Sequence, residues 1–183
     1  MRVIAGTAKG VRLASVPPGV RPVSDRAREG LFSSIGADVP GADVLDLYAG
    51  TGALGIEALS RGAERATFVE QSRAALRTIH QNLVRTRLAQ RAEVVASDVS
   101  AFVGRRSDPP RRFDLVLADP PYDAAVAAVE GVLEGLSDGW VQAGGAVVLT
   151  RGSRSFTPVI PVHWLVARRL EYGDTAVLIL REA

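Results

Sequence analysis

Residues 44–63 read VLDLYAGTGALGIEALSRGA, and this stretch decides the fold. VLDLY (44–48) is the near-continuous apolar run of a strand covered on both faces. It gives way to Ala49-Gly50-Thr51-Gly52, a turn. ALGIEALSRG (53–62) then reads as a helix, with Gly62 as its stop. Gly50, Gly52 and Gly55 form G-x-G-x-x-G at a strand-to-helix junction. Such glycines permit a tight turn and let a ligand approach the backbone. The motif alone is a weak signal, and its strand–turn–helix setting strengthens it.

Downstream, the alternation continues. RATFVE (65–70) reads as a strand, and Ser72 can cap a helix carrying Leu76, Ile79, Leu83 and Leu88. EVVASD (93–98) and FDLVLAD (113–119) are the third and fourth strands, a helix covers 123–137, and GAVVLT (145–150) is the fifth strand. Strands separated by helices imply βαβ units and a parallel sheet covered on both faces. Right-handed crossovers place the strand C-termini on one edge, where ligands bind. WLVARRLEYGDTAVLILRE (164–182) breaks the pattern, with two apolar strands at 164–170 and 175–181 joined at Gly173-Asp174. That is a hairpin signal. The expected fold class is α/β: a Rossmann-like, seven-stranded, mostly parallel sheet ending in an antiparallel hairpin. A plain dinucleotide-binding dehydrogenase lacks such an ending, whereas a class I methyltransferase has it.

Upstream, residues 1–23 are short, basic and broken by Gly6, Gly10, Pro17, Pro18, Gly19 and Pro22, which suits small strands or a hairpin. Ser24 reads as an N-cap for DRAREGLFSSIG, with Ala27, Leu31 and Ile35 on one face and Gly36 as the stop. Residues 1–40 are thus an N-terminal extension and 41–183 the main domain. The whole chain has 183 residues, 47% of them hydrophobic and 23% charged, so one globular core is expected. There is no cysteine, which excludes disulfides, zinc knuckles, Fe–S ligation and thiol nucleophiles. The two histidines, His80 and His163, read as structural or exposed, and no metal is expected. No apolar run reaches the ~18–20 residues of a membrane span. The opening lacks a continuous apolar core of a signal peptide, so a cytoplasmic protein is the default. Of 22 basic residues only Lys9 is a lysine, and residues 1–24 hold Arg2, Lys9, Arg12 and Arg21 with no acid. One-signed surface of that kind suits phosphate contact, with a solvated basic end as the plainer reading.

Three acids stand at strand ends. Glu70 closes the second strand 20 residues after Gly50 and can accept both hydroxyls of a ribose. NAD or S-adenosylmethionine would suit such a site. Asp46 precedes the turn, where an anion repels a pyrophosphate but pairs with a cationic amino group. Asp98 closes the third strand, where it can accept from an adenine amino group or cap a helix over 99–104. Together these favour S-adenosylmethionine.

Asp119-Pro120-Pro121-Tyr122 follows the fourth strand directly. Prolines cannot continue a central strand, because each lacks a donor N–H. They fix a stiff exit on which Asp119 and the Pro120 carbonyl become acceptors and Tyr122 a planar face. Methylating an exocyclic amine requires such a set. The amine lone pair is delocalised into the base ring, and acceptors on its two N–H groups help it rehybridise and aim. Stacking on an aromatic face holds the base, worth roughly 1–3 kcal/mol. Tyr48 and Phe32 read as packing residues.

The glycine turn, the strand-end acids and DPPY together resemble the class I S-adenosylmethionine-dependent methyltransferases that act on base amino groups. MRVIAGTAKGVRL, RPVSDRAREGLFSSIG and EYGDTAVLIL further resemble the opening, pre-sheet and closing segments of the 16S rRNA guanine-N2 methyltransferase (RsmD) family. Ala5 stands where that family commonly has glycine, and Ser24 also departs from its usual pattern. The resemblance implies that Asp46, Gly50, Thr51, Gly52, Glu70 and Asp98 hold S-adenosylmethionine, leaving S-adenosylhomocysteine as product. It implies that Asp119, Pro120, Pro121 and Tyr122 hold a guanine. It further implies a partner, 16S rRNA in the small ribosomal subunit or an assembly intermediate, and a monomeric enzyme without membrane association. Arg2, Lys9, Arg12, Arg21 and Arg26 are the expected RNA contacts. Arg26 or Arg28 is placed to reach the cofactor carboxylate or an RNA phosphate, and both can equally pair with Asp25 or Glu29 on a solvated helix. An adenine-N6 methyltransferase, a non-enzymatic assembly factor and a nicotinamide-dependent oxidoreductase are the competing readings.

Overall fold

The computed structural model describes residues 1–14, 23–105, 111–155 and 157–183. Strict alternation along the central strands sorts the core into two layers. β1 (Asp43–Leu47) turns Val44 to one face and Leu45 and Leu47 to the other; β4 (Phe113–Ala118) divides Leu115 and Leu117 from Val116 and Ala118 in the same way. On the first face lie α1 (Asp25–Ser34), α2 (Ala53–Ser60) and α3 (Arg73–Thr86). On the second lie α4 (Val99–Val103) and α5 (Val126–Ser137). The result is a three-layer αβα sandwich.

With β2 (Arg65–Glu70), β3 (Ala92–Ala96), β5 (Val141–Gly152), β6 (Trp164–Tyr172) and β7 (Thr175–Glu182), the sheet order is β3-β2-β1-β4-β5-β7-β6. The first five strands in that order run parallel, and β7 is antiparallel to both of its neighbours. The chain reverses its direction of travel between β1 and β4, which makes the C-terminal ends of those two strands the crevice of the fold. β5 starts four residues before the expected strand. Gly144 and Gly145 do not begin it; they lie in a register shift, where Phe113 pairs with Val141 but Leu115 with Ala146. β6 is the outer edge, with Arg168 and Arg169 exposed, as suits an unpaired strand edge. Among the described residues no helix is long and apolar enough to cross a membrane.

The N-terminal residues pack on the same core. Arg2 and Arg12 form an antiparallel bridge, and Val3, Ala8 and Leu13 join the layer of α1–α3. Their backbone is held by polar groups of α2. The amides of Ile4 and Ala5 donate to Glu57 at 2.8 and 3.0 Å, and the Ala8 amide donates to the Ser60 hydroxyl at 2.9 Å. Ser24 caps α1 as its sequence position predicts, accepting from the Ala27 amide. Helix α1 ends at Ser34, two residues before Gly36.

Candidate active site

Strand register brings the acids together. Leu47 pairs with Ala118, so the turn after β1 and Asp119 leave the sheet side by side. Glu70 pairs with Ala96, which sets Asp98 two residues further along the same edge. Ala118 pairs with Leu149, which puts Thr150 next to Asp119. These ends surround a cavity of about 380 Å³, within the roughly 300–1,000 Å³ typical of small-molecule sites.

The glycine turn shapes its floor. Gly50 and Gly52 have φ of 57° and 77°, a region that favours glycine. Gly55 lets α2 press onto the sheet: a Cβ there would stand 2.4 Å from the Phe68 ring. That contact brings the Gly55 amide to 2.9 Å from Asp46 Oδ2, to which it donates. Asp46 is fully buried, and burial holds its carboxyl well above the usual range. The Gly55 amide opposes that shift, while Asp119 and Glu70 add to it. A carboxylate in this setting gains from a cation placed beside it. Glu70 is held by three amides: Gly50 donates to one oxygen at 2.9 Å, and Gln71 and Ser72 donate to the other at 2.9 and 2.8 Å. Asp98 lines the cavity and also caps α4, accepting from the Ala101 amide at 2.9 Å.

Across the crevice, the Thr150 hydroxyl donates to Asp119. Burial pushes Asp119 up to about 6, with the Thr150 hydrogen bond opposing the shift. Tyr122 is 38% exposed. Its ring rests against Gly152, where an added Cβ would stand 2.9 Å from Cδ1. Its hydroxyl lies 3.1 Å from that of Thr175, the residue paired with Gly152. Bare backbone at Gly152 thus lets the ring settle against it, and Tyr122 lines the cavity.

The family described as Conserved hypothetical protein 95 matches residues 1–181. The chain belongs to it. Ribosomal RNA small subunit methyltransferase D of Escherichia coli K12 is 35% identical over 187 residues, covering 100% of this chain and 91% of the relative. A solved Escherichia coli structure matches with a TM-score of 0.87 and 32% identity, covering 100% of this chain and 97% of its own. A Thermus thermophilus protein matches with a TM-score of 0.84 and 35% identity, covering 100% of this chain and 99% of its own. These likenesses bear out the family resemblance over the whole chain.

Within this family member the crevice gathers Asp46, Gly50, Thr51, Glu70, Asp98, Asp119, Pro120, Pro121 and Tyr122 around one cavity. Gly52 is not among the lining residues. Its missing side chain would point toward Ile56, Ile79 and Phe68, so it serves the turn and the core. Arg2, Lys9 and Arg26 border a separate depression of about 480 Å³, together with Asp25 and Glu29. Arg12 is exposed and bridges to Arg2. Arg21 lies outside the described residues. His80 and His163 are both exposed.

Asn82 escapes a reading of the sequence, and Tyr48 and Arg28 take fuller roles than it gives them. Tyr48 packs against the second core layer but also lines the cavity. Asn82 on α3 is fully buried; it accepts from the Ala14 amide at 2.7 Å and donates to the Thr51 carbonyl at 2.8 Å, tying the N-terminal segment to the glycine turn. Arg28 and Arg26 separate. Arg26 is exposed, whereas Arg28 is fully buried and lines the cavity. Spacing does carry a signal for Arg28: it stands three and four residues before Leu31 and Phe32, on the apolar face of α1.

Proposed function

We propose that this chain transfers a methyl group from S-adenosylmethionine to the exocyclic N2 of a guanine in small-subunit ribosomal RNA. The observation that carries the reading is the register of β1, β2, β3 and β4, which sets three carboxylates of one cavity, Asp46, Glu70 and Asp98, beside the Asp119-Pro120-Pro121-Tyr122 exit. Asp46, Glu70, Asp98 and Asp119 give the cavity a negative lining that suits a cationic cofactor and opposes a pyrophosphate. Glu70 is the ribose acceptor, Asp98 the adenine acceptor, and Asp46 the partner of the amino group. Gly50 and Thr51 offer backbone close to it. The name of the Escherichia coli relative supports ribosomal RNA of the small subunit as the substrate.

When bound, S-adenosylmethionine supplies a methyl carbon already activated by its sulfonium. The chain's own work is alignment and electrostatics. Asp119 and the Pro120 carbonyl accept the two N–H groups of the guanine amine and turn its lone pair toward the cofactor. Thr150 fixes the Asp119 carboxylate, and Tyr122 stacks on the base. The amine nitrogen becomes strongly acidic once alkylated, so its proton leaves without a dedicated base. A base held this way must leave its helix or loop, as base-modifying enzymes require. Residues 1–40 form the RNA-contacting extension, in which Arg2, Lys9, Arg12, Arg21 and Arg26 bind phosphates and position the substrate.

The test is incubation with methyl-labelled S-adenosylmethionine and, in parallel, unmodified small subunits, naked 16S rRNA and duplex DNA, followed by nucleoside analysis. N2-methylguanosine from subunit or rRNA is the expected product. Label in N6-methyladenosine would overturn the base assignment, and absence of label in every substrate would overturn the reaction.

A further inference from the structure

Helix α3 and its flanks carry charge of one sign only. From Gln71 to Ala92 the sequence holds Arg73, Arg77, Arg85, Arg87 and Arg91 with no Asp or Glu, although the whole chain is nearly balanced at 22 basic to 20 acidic residues. Arg91 is used inside the fold, donating to the Leu59 and Ala63 carbonyls at 3.0 and 2.7 Å. The other four are exposed. Their guanidinium groups make no hydrogen bond or ion pair with the described residues. Other arginines do find acids: Arg61 pairs with Glu57, Arg111 with Glu93 and Arg181 with Asp38.

This charge works against the helix that carries it. Arg73 opens α3 and Arg77 stands one turn on, near the end where the helix dipole favours acids, and the first turn has none. Like charges at i and i+4 also repel. A local preference broken with no gain inside the fold marks a surface kept for a partner. Arg73, Arg77, His80 and Val84 follow at i, i+4, i+7 and i+11, one stripe down the outer side, opposite the buried Ile79 and Leu83. The apolar side of α3 belongs to the core, so the outer side offers no apolar anchor for a lipid surface.

Two links join the stripe to the site. Gln71, two residues before Arg73, lines the cavity. Asn82 accepts from the Ala14 amide, which ties α3 to the segment carrying Arg2, Lys9 and Arg12. The carboxylates of the cavity repel a polyanion at its mouth, and cations at the start of α3 offset that repulsion.

We infer that the outer side of α3 is a second RNA-backbone surface, on which Arg73 and Arg77 take phosphates of the substrate rRNA and Arg85 extends the track. This rests on the substrate reading above. Guanidinium forks suit phosphate oxygens, and contacts of this kind set the position of the RNA without reading its sequence.

The test measures binding of the full chain to unmodified naked 16S rRNA and to small subunits across a series of salt concentrations. Arg73→Gln/Arg77→Gln should bind both about tenfold more weakly at low salt. Its plot of log K against log salt should be shallower by about 1.4–1.8, two phosphate contacts at roughly 0.7–0.9 each. Arg73→Lys/Arg77→Lys keeps the charge and should keep the slope. S-adenosylhomocysteine affinity should stay within about threefold of wild type in both variants. Arg168→Gln/Arg169→Gln removes the same charge from β6, at the other edge of the sheet, and should leave the slope within about 0.5 of wild type. An α3 variant that behaves like the β6 variant overturns the proposal. So does one that weakens binding to subunits and leaves naked rRNA untouched, which would make α3 a docking face for a ribosomal protein. Wild-type protein that binds neither rRNA nor subunits would overturn the substrate reading, and the role of α3 with it.

Discussion

The two sides of the crevice are prepared to different degrees. On the β1–β3 side every strand-end carboxylate already accepts backbone amides: Gly55 on Asp46, three amides on Glu70, and Ala101 on Asp98. On the β4–β5 side Asp119 accepts from one side-chain hydroxyl, and Tyr122 lines the cavity while remaining partly exposed. Backbone amides are fixed by the fold, so the first side is set before any ligand arrives. On the second side the Asp119 carboxylate accepts from no backbone amide among the described residues, and the proposed substrate amine is what would complete its hydrogen bonds. In the proposed reaction stability and chemistry are thereby separated: the cofactor side belongs to the scaffold, and the acceptor side holds a carboxylate that burial leaves poorly solvated.

The largest effect should come from the acceptor side. Asp119→Ala is expected to lower turnover by about 10²–10³-fold, the cost of removing one aligned transition-state hydrogen bond. Titration should find S-adenosylhomocysteine affinity within about threefold of wild type. Loss of both together would erase the distinction between the sides. Next comes the cofactor side. Glu70→Gln should weaken S-adenosylhomocysteine by about 10-fold or more, with kcat at saturating cofactor nearly kept.

The pH dependence follows from Asp119 titrating near 6. Below that value it is protonated and no longer a charged acceptor, so kcat/KM should fall about tenfold at pH 5 and be level above pH 7. In Asp119→Asn the surviving activity should lack that acid limb. The smallest effect concerns stability. The carboxyl of Asp119 titrates higher in the folded chain than at its ordinary 3.8, so ionising it disfavours the folded state. That cost grows as pH rises from about 4 to 6 and is full above 6. Asp119→Asn should therefore raise Tm by roughly 2–4 °C at pH 7.5, and by less at pH 4.5, in thermal scans of the ligand-free protein. A lower Tm at pH 7.5 would show that the acceptor side is as well satisfied as the other.

The strands, the hairpin and the strand-end acids are legible in the sequence because their signals are local. VLDLY and FDLVLAD are apolar runs that end in an acid or a turn, and Gly173-Asp174 punctuates the hairpin. Asp119-Pro120-Pro121-Tyr122 declares itself by prolines where a strand must stop. Ser24 and Ser72 are N-caps that need only the three residues after them. What stays hidden depends on contacts between distant parts of the chain. Asn82 reaches Ala14 and Thr51, and Glu57 reaches Ile4 and Ala5; neither link leaves a mark on local spacing. Gly52 fits the motif, but the direction of its absent side chain follows from where Phe68 and Ile79 pack. The full length of β5 is concealed because Gly145 looks like a strand start and lies instead at a change of register. Arg28 carries two signals, spacing to Asp25 that suits a wet helix face and spacing to Leu31 and Phe32 that suits the apolar one; the packing of α1 decides for burial.

Amide hydrogen exchange of the ligand-free protein tests the difference between the two sides most directly. The Gly50, Gly55, Gln71 and Ser72 amides, all bound to Asp46 or Glu70, should be protected before any cofactor is added, and S-adenosylhomocysteine should change them little. Exchange of these four amides at the rate of an open chain, slowing only when S-adenosylhomocysteine binds, would contradict the account.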